Sequence, residues 1–303
     1  MLYWIIGIFV SFFCIYAFIS YIVFKFFVDR SVPKDMIFKG KDEDENENSL
    51  KRVSLPFDIQ EVSIESINGL QLHSYFITNN ASNKWIICVH GYSGNAFNLF
   101  PHINHFYSQG YNILAVDLRA HGKSDGKYYG LSYLDAKDIL LWVDWIQAKT
   151  SNAKIALFGI SLGGASVLMA ASNSKTSNIK CVLSDSAPSD FKKEFTYVCK
   201  KFINIPISII LPAVNFWMKI LAKYSFKDAS PINNIGKVRV PCLIIHGEND
   251  HFVKVEMAYE LFENIDTAKE LLLVPNANHT QSVKIEPNMY WDKVDMFLSK
   301  YMK

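Results

Sequence analysis

The chain has 303 residues, half of them hydrophobic and a fifth charged, with a formal net charge of +2 at pH 7. Its length allows one large domain or two small ones and a substantial core. The near-neutral charge, with no basic stripe carrying interleaved aromatics, argues against a dedicated nucleic-acid surface. Cys14, Cys88, Cys181, Cys199 and Cys242 form no C-x-x-C pair, and three of them fall in apolar strand patterns. Buried, reduced thiols are expected, which fits a reducing compartment.

The first predicted element is an apolar helix. Residues 2–24 carry no charge, and the apolar run continues patchily to Val28. At 1.5 Å per residue, about 23 residues reach roughly 34 Å, enough for a hydrocarbon core of about 30 Å. No basic stretch precedes the run, and bulky Phe26, Phe27 and Val28 occupy its exit. Residues 1–28 therefore read as a permanent single span rather than a cleaved signal. Lys25, Arg30, Lys34, Lys39 and Lys41 all follow the span, so the rest of the chain is expected on the cytoplasmic side of the cell membrane. Residues 29–55 read as a juxtamembrane segment and acidic linker. The stretch 40–49 is rich in Asp, Glu and Asn and has nothing to bury.

A globular domain is expected over residues 56–303. Ile59, Val62 and Ile64 alternate, Asn68-Gly69 marks a turn, and Leu70 to Ile77 follow as a second strand of a hairpin. Strand patterns then recur at Trp85-Ile86-Ile87-Cys88-Val89, Asn112-Ile113-Leu114-Ala115-Val116, Lys154-Ile155-Ala156-Leu157-Phe158, around Cys181, around Leu243 and at Leu271-Leu272-Leu273-Val274. Helical patterns lie between them. One starts at a capping-box-like Ser132 and Asp135, and the last runs from about Met289 to Tyr301. Repeated strand–helix units predict a mainly parallel α/β sheet with helices on both faces and ligands at the strands' carboxyl ends. Residues 189–230 interrupt this alternation with an apolar helical segment. It can pack as ordinary helices, cap the site and line an acyl pocket, or touch the membrane; Pro206 and Pro212 oppose a second full span.

The chemistry concentrates in the loops after these strands. Gly159-Ile160-Ser161-Leu162-Gly163 places a serine between glycines where a strand meets a helix, the pattern of a strained elbow that exposes a nucleophile. Downstream, Gly247-Glu248-Asn249-Asp250 offers a carboxylate and Asn276-Ala277-Asn278-His279 a base. A serine hydroxyl needs a base to take its proton, and a carboxylate fixes the imidazole tautomer. Upstream, His90-Gly91-Tyr92-Ser93-Gly94 follows a strand, and Asp117-Leu118-Arg119-Ala120-His121-Gly122-Lys123-Ser124 follows the next.

Together these segments resemble the α/β-hydrolase superfamily over residues 85–280, and most resemble its bacterial membrane-anchored Bem46-like and serine-aminopeptidase-like groups. Ala120 stands where that family commonly has glycine. The resemblance implies Ser161 as nucleophile, His279 as base, and Asp250, in preference to Glu248, as the acid. It also implies an oxyanion hole from the backbone N–H groups of Tyr92 and Leu162. His90, His121, Asp117 and Asp185 read as loop-organising residues, and His251 as a flank. No cofactor is required, and no histidine pair has the helical spacing of a zinc site. The reading is a membrane-anchored serine hydrolase of carboxylic esters, lipid esters or thioesters. A peptidase or amidase, an acyltransferase, or a silent binding protein on the same fold are its alternatives.

Overall fold

The computed structural model describes residues 1–33, 58–79, 82–202 and 207–303. The acidic stretch, the start of the domain near position 56, and Pro206 lie outside the described residues. Eight strands form one sheet: β1 (Gln60–Glu65), β2 (Gln71–Ile77), β3 (Lys84–Val89), β4 (Asn112–Val116), β5 (Lys154–Ile160), β6 (Ile179–Asp185), β7 (Cys242–Gly247) and β8 (Lys269–Val274). Their order across the sheet is β1-β2-β4-β3-β5-β6-β7-β8. The β1–β2 hairpin is antiparallel and β2 meets β4 antiparallel. From β4 to β8 every pairing is parallel. This is the mainly parallel sheet expected from the alternation of strand and helix patterns, and it has the α/β-hydrolase architecture that the resemblance implies.

The period-two geometry of a strand explains why the central runs are apolar throughout. In β3, Trp85, Ile87 and Val89 face one core layer while Ile86 and Cys88 face the other. Helices α3 (Tyr133–Lys149) and α4 (Leu162–Asn173) cover the first face. Helices α2 (Phe100–Ser108) and α10 (Pro287–Tyr301) cover the second. Short α7 (Phe226–Ala229), α8 (Glu256–Glu263) and short α9 (Ser282–Ile285) complete the helices around the carboxyl-terminal strands. At the start of α3 the Asp135 carboxylate accepts the Ser132 N–H at 2.9 Å, while the Ser132 hydroxyl donates to the Ala229 carbonyl. The helix start is thus tied to the base of the 189–230 segment.

That segment contains α5 (Phe191–Phe202), α6 (Ile207–Trp217) and a widened turn over Met218–Ala222. The apolar N-terminal run forms one helix, α1 (Leu2–Val28), long and apolar enough to cross a membrane. Its first half is exposed, but its last two turns are built into the domain: Val23, Phe24, Phe27 and Val28 belong to the same core layer as α3 and α4. Two of the C-terminal carbonyls that a helix leaves orphaned are satisfied there by the domain. The Tyr92 phenol donates to the Phe27 carbonyl at 2.7 Å, and the Tyr129 N–H donates to the Val28 carbonyl at 2.9 Å. Arg30 then donates to the carbonyls of Ser124 and Gly122, both at 2.7 Å.

Candidate active site

Ser161 stands between β5 and α4 with φ +56°, a conformation that costs an L-residue energy and that the surrounding packing must enforce. The flanking glycines explain how the turn closes. A Cβ on Gly159 would meet the Gly163 carbonyl oxygen at 2.3 Å, and one on Gly163 would meet the Val89 carbonyl oxygen at 2.1 Å. Neither position tolerates a side chain, so α4 lies against the ends of β3 and β5 only because both residues are glycine. The Ser161 N–H donates to the Asp185 carbonyl at 2.8 Å, and the Ser161 carbonyl accepts from Ala165 to start the helix.

Ser161, His279 and Asp250 come together although they lie far apart in the chain. His279 Nε2 is 3.0 Å from Ser161 Oγ, and its Nδ1 is 2.7 Å from Asp250 Oδ2. An ionised carboxylate can only accept, so Nδ1 carries the proton and Nε2 is left to accept from the serine hydroxyl. Asp250 is buried, and its other oxygen accepts the N–H groups of Phe252 at 2.8 Å and Val253 at 2.9 Å. Burial alone would raise its pKa, but hydrogen bonds from His246 and His279 outweigh that and hold the carboxyl well below its ordinary range. Glu248, the other acid in this turn, is exposed. The Asn278 side-chain oxygen accepts from the backbone N–H of His251 at 3.1 Å and of His279 at 2.9 Å, locking the acid and base turns together.

His246 carries a role the sequence reading missed. It is fully buried at the end of β7, with Nε2 2.9 Å from the Val253 carbonyl and 3.3 Å from Asp250 Oδ2. Burial lowers its pKa, yet the Asp250 carboxylate outweighs that and raises it above the ordinary histidine value. Its only sequence signal was a polar residue closing an otherwise apolar strand.

Of the two other loops, the first lies against the serine and the second is bonded to the first. A Cβ on Gly91 would sit 3.3 Å from Ser161 Cβ, so the His90–Gly94 loop borders the hydroxyl directly. Leu162 is the first residue of α4, where helical N–H groups have no intrahelical acceptor. His90 donates from Nδ1 to the Gly91 carbonyl and accepts the Leu118 N–H at Nε2. His121 likewise donates from Nδ1 to the Arg119 carbonyl and accepts the Ser93 N–H. Each ring is a neutral tautomer that joins the two loops, and burial holds His121 well below its ordinary pKa. Asp117 accepts the N–H groups of Ala96 and Lys123, both at 2.9 Å, and Asp185 accepts the Tyr290 hydroxyl at 3.0 Å. Ala120 has φ +61°, which accounts for the glycine common at this position in the family it resembles. Among the described residues no group of three or more His, Cys, Asp or Glu side chains could hold a metal ion.

The comparisons with known proteins agree with this architecture. The family described as alpha/beta hydrolase fold matches residues 84–202, and one described as PhoPQ-activated pathogenicity-related protein matches residues 214–299. Protein YqkD of Bacillus subtilis is 26% identical over 236 residues, covering 78% of this chain and 77% of its own. The human protein ABHD12B is 27% identical over 56% of this chain and 48% of its own. Among solved structures, the Pyrococcus furiosus esterase Pf2001 superposes with a TM-score of 0.68 at 27% identity, covering 82% of this chain and 94% of the esterase. The elbow at Ser161, the strand order and these matches together place the chain in the α/β-hydrolase superfamily.

Proposed function

We propose that this hydrolase is a membrane-anchored serine hydrolase that cleaves carboxylic ester, lipid-ester or thioester bonds through an acyl-enzyme at Ser161. The observation that carries the reading is the continuous hydrogen-bonded line from Ser161 Oγ through His279 to Asp250, at 3.0 and 2.7 Å. His279 Nε2 takes the hydroxyl proton as Oγ attacks the substrate carbonyl carbon, and Asp250 stabilises the imidazolium that forms. The negative charge developing on the carbonyl oxygen falls to the backbone N–H groups of Tyr92 and Leu162; losing one such donor typically costs about 2.7–4 kcal/mol. His279 then returns its proton to the leaving alcohol or thiol. In the second half-reaction it deprotonates a water, whose attack releases the acid and restores Oγ–H.

The esterase Pf2001 supports ester chemistry, and the apolar 189–230 segment beside the site supports an acyl substrate. Residues 1–28 serve as the anchor, residues 29–55 as the connection and residues 56–303 as the catalytic domain. Lys25 and Arg30 at the end of α1 support a cytoplasmic side for that domain. Labelling with a fluorophosphonate probe tests the reading. Full-length protein labels, and Ser161→Ala does not. Folded wild-type protein that labels no better than Ser161→Ala contradicts it.

A further inference from the structure

Helix α6 breaks the rule by which a helix on a water-soluble domain is polar on its outer face. Its inner face, Ile207, Ile210, Leu211, Val214 and then Met218, is buried. Its outer face carries Ile209, Phe216 and, in the following turn, Ile220, which are 59%, 54% and 50% exposed. No charged residue occurs between Ile207 and Met218. The neighbouring α5 behaves differently: Lys192, Lys193 and Lys200 cover its outer side while Phe191, Phe195 and Val198 are buried. The apolar outer face therefore belongs to α6 and is not a property of the whole segment.

Helix α6 is also fastened to α1 at a definite depth. The Tyr16 hydroxyl donates to the Ile209 carbonyl at 2.7 Å, and the Trp217 indole donates to Ser20 Oγ at 3.1 Å while packing edge-on against Tyr21. The first charge of α1 is Lys25. A hydrocarbon core of about 30 Å takes about 20 residues of helix, and counted from Leu2 these end at Tyr21. Seating α1 across a bilayer therefore submerges Tyr16 to Tyr21, and with them the part of α6 they hold. Tilting the helix submerges more of it, not less. Trp217 and Tyr21 then sit at the level where aromatic belts form. Ile209, at the level of Tyr16, lies about 7.5 Å deeper along the helix, within the depth of interfacial helices. Lys219 and Lys223, both exposed, follow α6 and can reach back to the headgroups.

We propose that α6 is a second, monotopic membrane element, embedded in the leaflet beside the end of α1 with Ile209, Phe216 and Ile220 against the acyl chains of a lipid bilayer. The proposal rests on the anchoring reading of α1. It sets the 189–230 segment in contact with the hydrocarbon, so an acyl substrate partitioned into the leaflet reaches this segment without crossing water. The segment is joined to the site at its other end, where the Tyr197 hydroxyl donates to the carbonyl of His251, next to Asp250.

Nitroxide labelling of the full chain in phosphatidylcholine–phosphatidylglycerol vesicles tests this. Native Cys14 is exposed on α1 and the other described cysteines are buried, so the wild-type label reports on α1. Ile209→Cys and Phe216→Cys, each with Cys14→Ser, report on α6, and Tyr259→Cys in the same background gives an exposed reference on α8. The expected result is a shift from water-like to hydrocarbon-like collision behaviour, with oxygen favoured over a soluble nickel chelate, at positions 14, 209 and 216 and the reverse at 259. Nickel access at 209 and 216 with protection at 14 overturns the proposal alone. Nickel access at 14 as well overturns the anchoring reading and the proposal with it.

Discussion

Asp250 is the most heavily engaged side chain of the site: His279, two backbone N–H groups and His246 all address its carboxylate. A carboxylate so engaged fixes the proton on His279 Nδ1, and an amide in its place presents the wrong group to that nitrogen. Asp250→Asn should leave the fold intact and lower kcat by about 10⁴-fold, as loss of the correct tautomer does in serine hydrolases; steady-state kinetics on a soluble p-nitrophenyl ester measures it. Ser161, Asp250 and His279 were legible in the sequence because each follows directly on an apolar strand run, where the fold delivers loops to one edge. His246 was not legible. It lies inside such a run, and its link to Asp250 depends on how the turn after β7 folds back on the strand.

At the scale of elements, the same local logic exposed the β1–β2 hairpin through Asn68-Gly69, the elbow through its glycines, and the start of α3 through Ser132 and Asp135. The docking of α1 left no such signal. Phe27 and Tyr92 are 65 positions apart, and a tyrosine one residue beyond a His-Gly pair says nothing about a helix carbonyl. Yet this contact joins the proposed oxyanion loop to α1. Desolvation keeps the Tyr92 phenol well above its ordinary pKa, so it remains a donor to Phe27. Tyr92→Phe keeps the backbone N–H and the ring and removes the hydroxyl that makes that bond. It should cost about 1 kcal/mol of stability and lower kcat by up to about tenfold through a loosened loop, with KM for a short soluble ester unchanged. Urea titration and kinetics in detergent check both; an unchanged kcat would show that the link to α1 does not position the loop.

Across the whole molecule, the mainly parallel sheet with helices on both faces followed from strand and helix patterns, whereas the order of its strands and the seating of α1 and α6 together emerged only from tertiary contacts. Buried ionisable groups on the two faces of the sheet pull stability in opposite directions with pH. Burial, with help from the nearby His105, lowers His102 to about 3. Between that value and about 6.5 the unfolded chain binds a proton that the native ring refuses, so acidification destabilises the fold, by on the order of 2 kcal/mol from pH 7 to pH 5. Burial raises Asp135 to about 7 against the opposing pull of Arg119. The native carboxyl there holds a proton that the unfolded chain releases above about pH 4, so acidification from pH 7 stabilises the fold. His102→Gln should therefore lose less stability than wild type on going from pH 7 to pH 5, and Asp135→Asn should lose more. Urea midpoints at the two pH values distinguish the tilts, and variants that parallel the wild type would contradict them.

A nucleophilic Ser161 becomes covalently acylated during turnover. Rapid quenching of full-length protein with a p-nitrophenyl ester, followed by intact-mass and peptide mass spectrometry, addresses it most directly. One acyl group per chain is expected on the peptide that contains Ser161, formed in step with a burst of p-nitrophenol and absent from Ser161→Ala. Turnover without an acylated peptide, or with the acyl group on another residue, would contradict it.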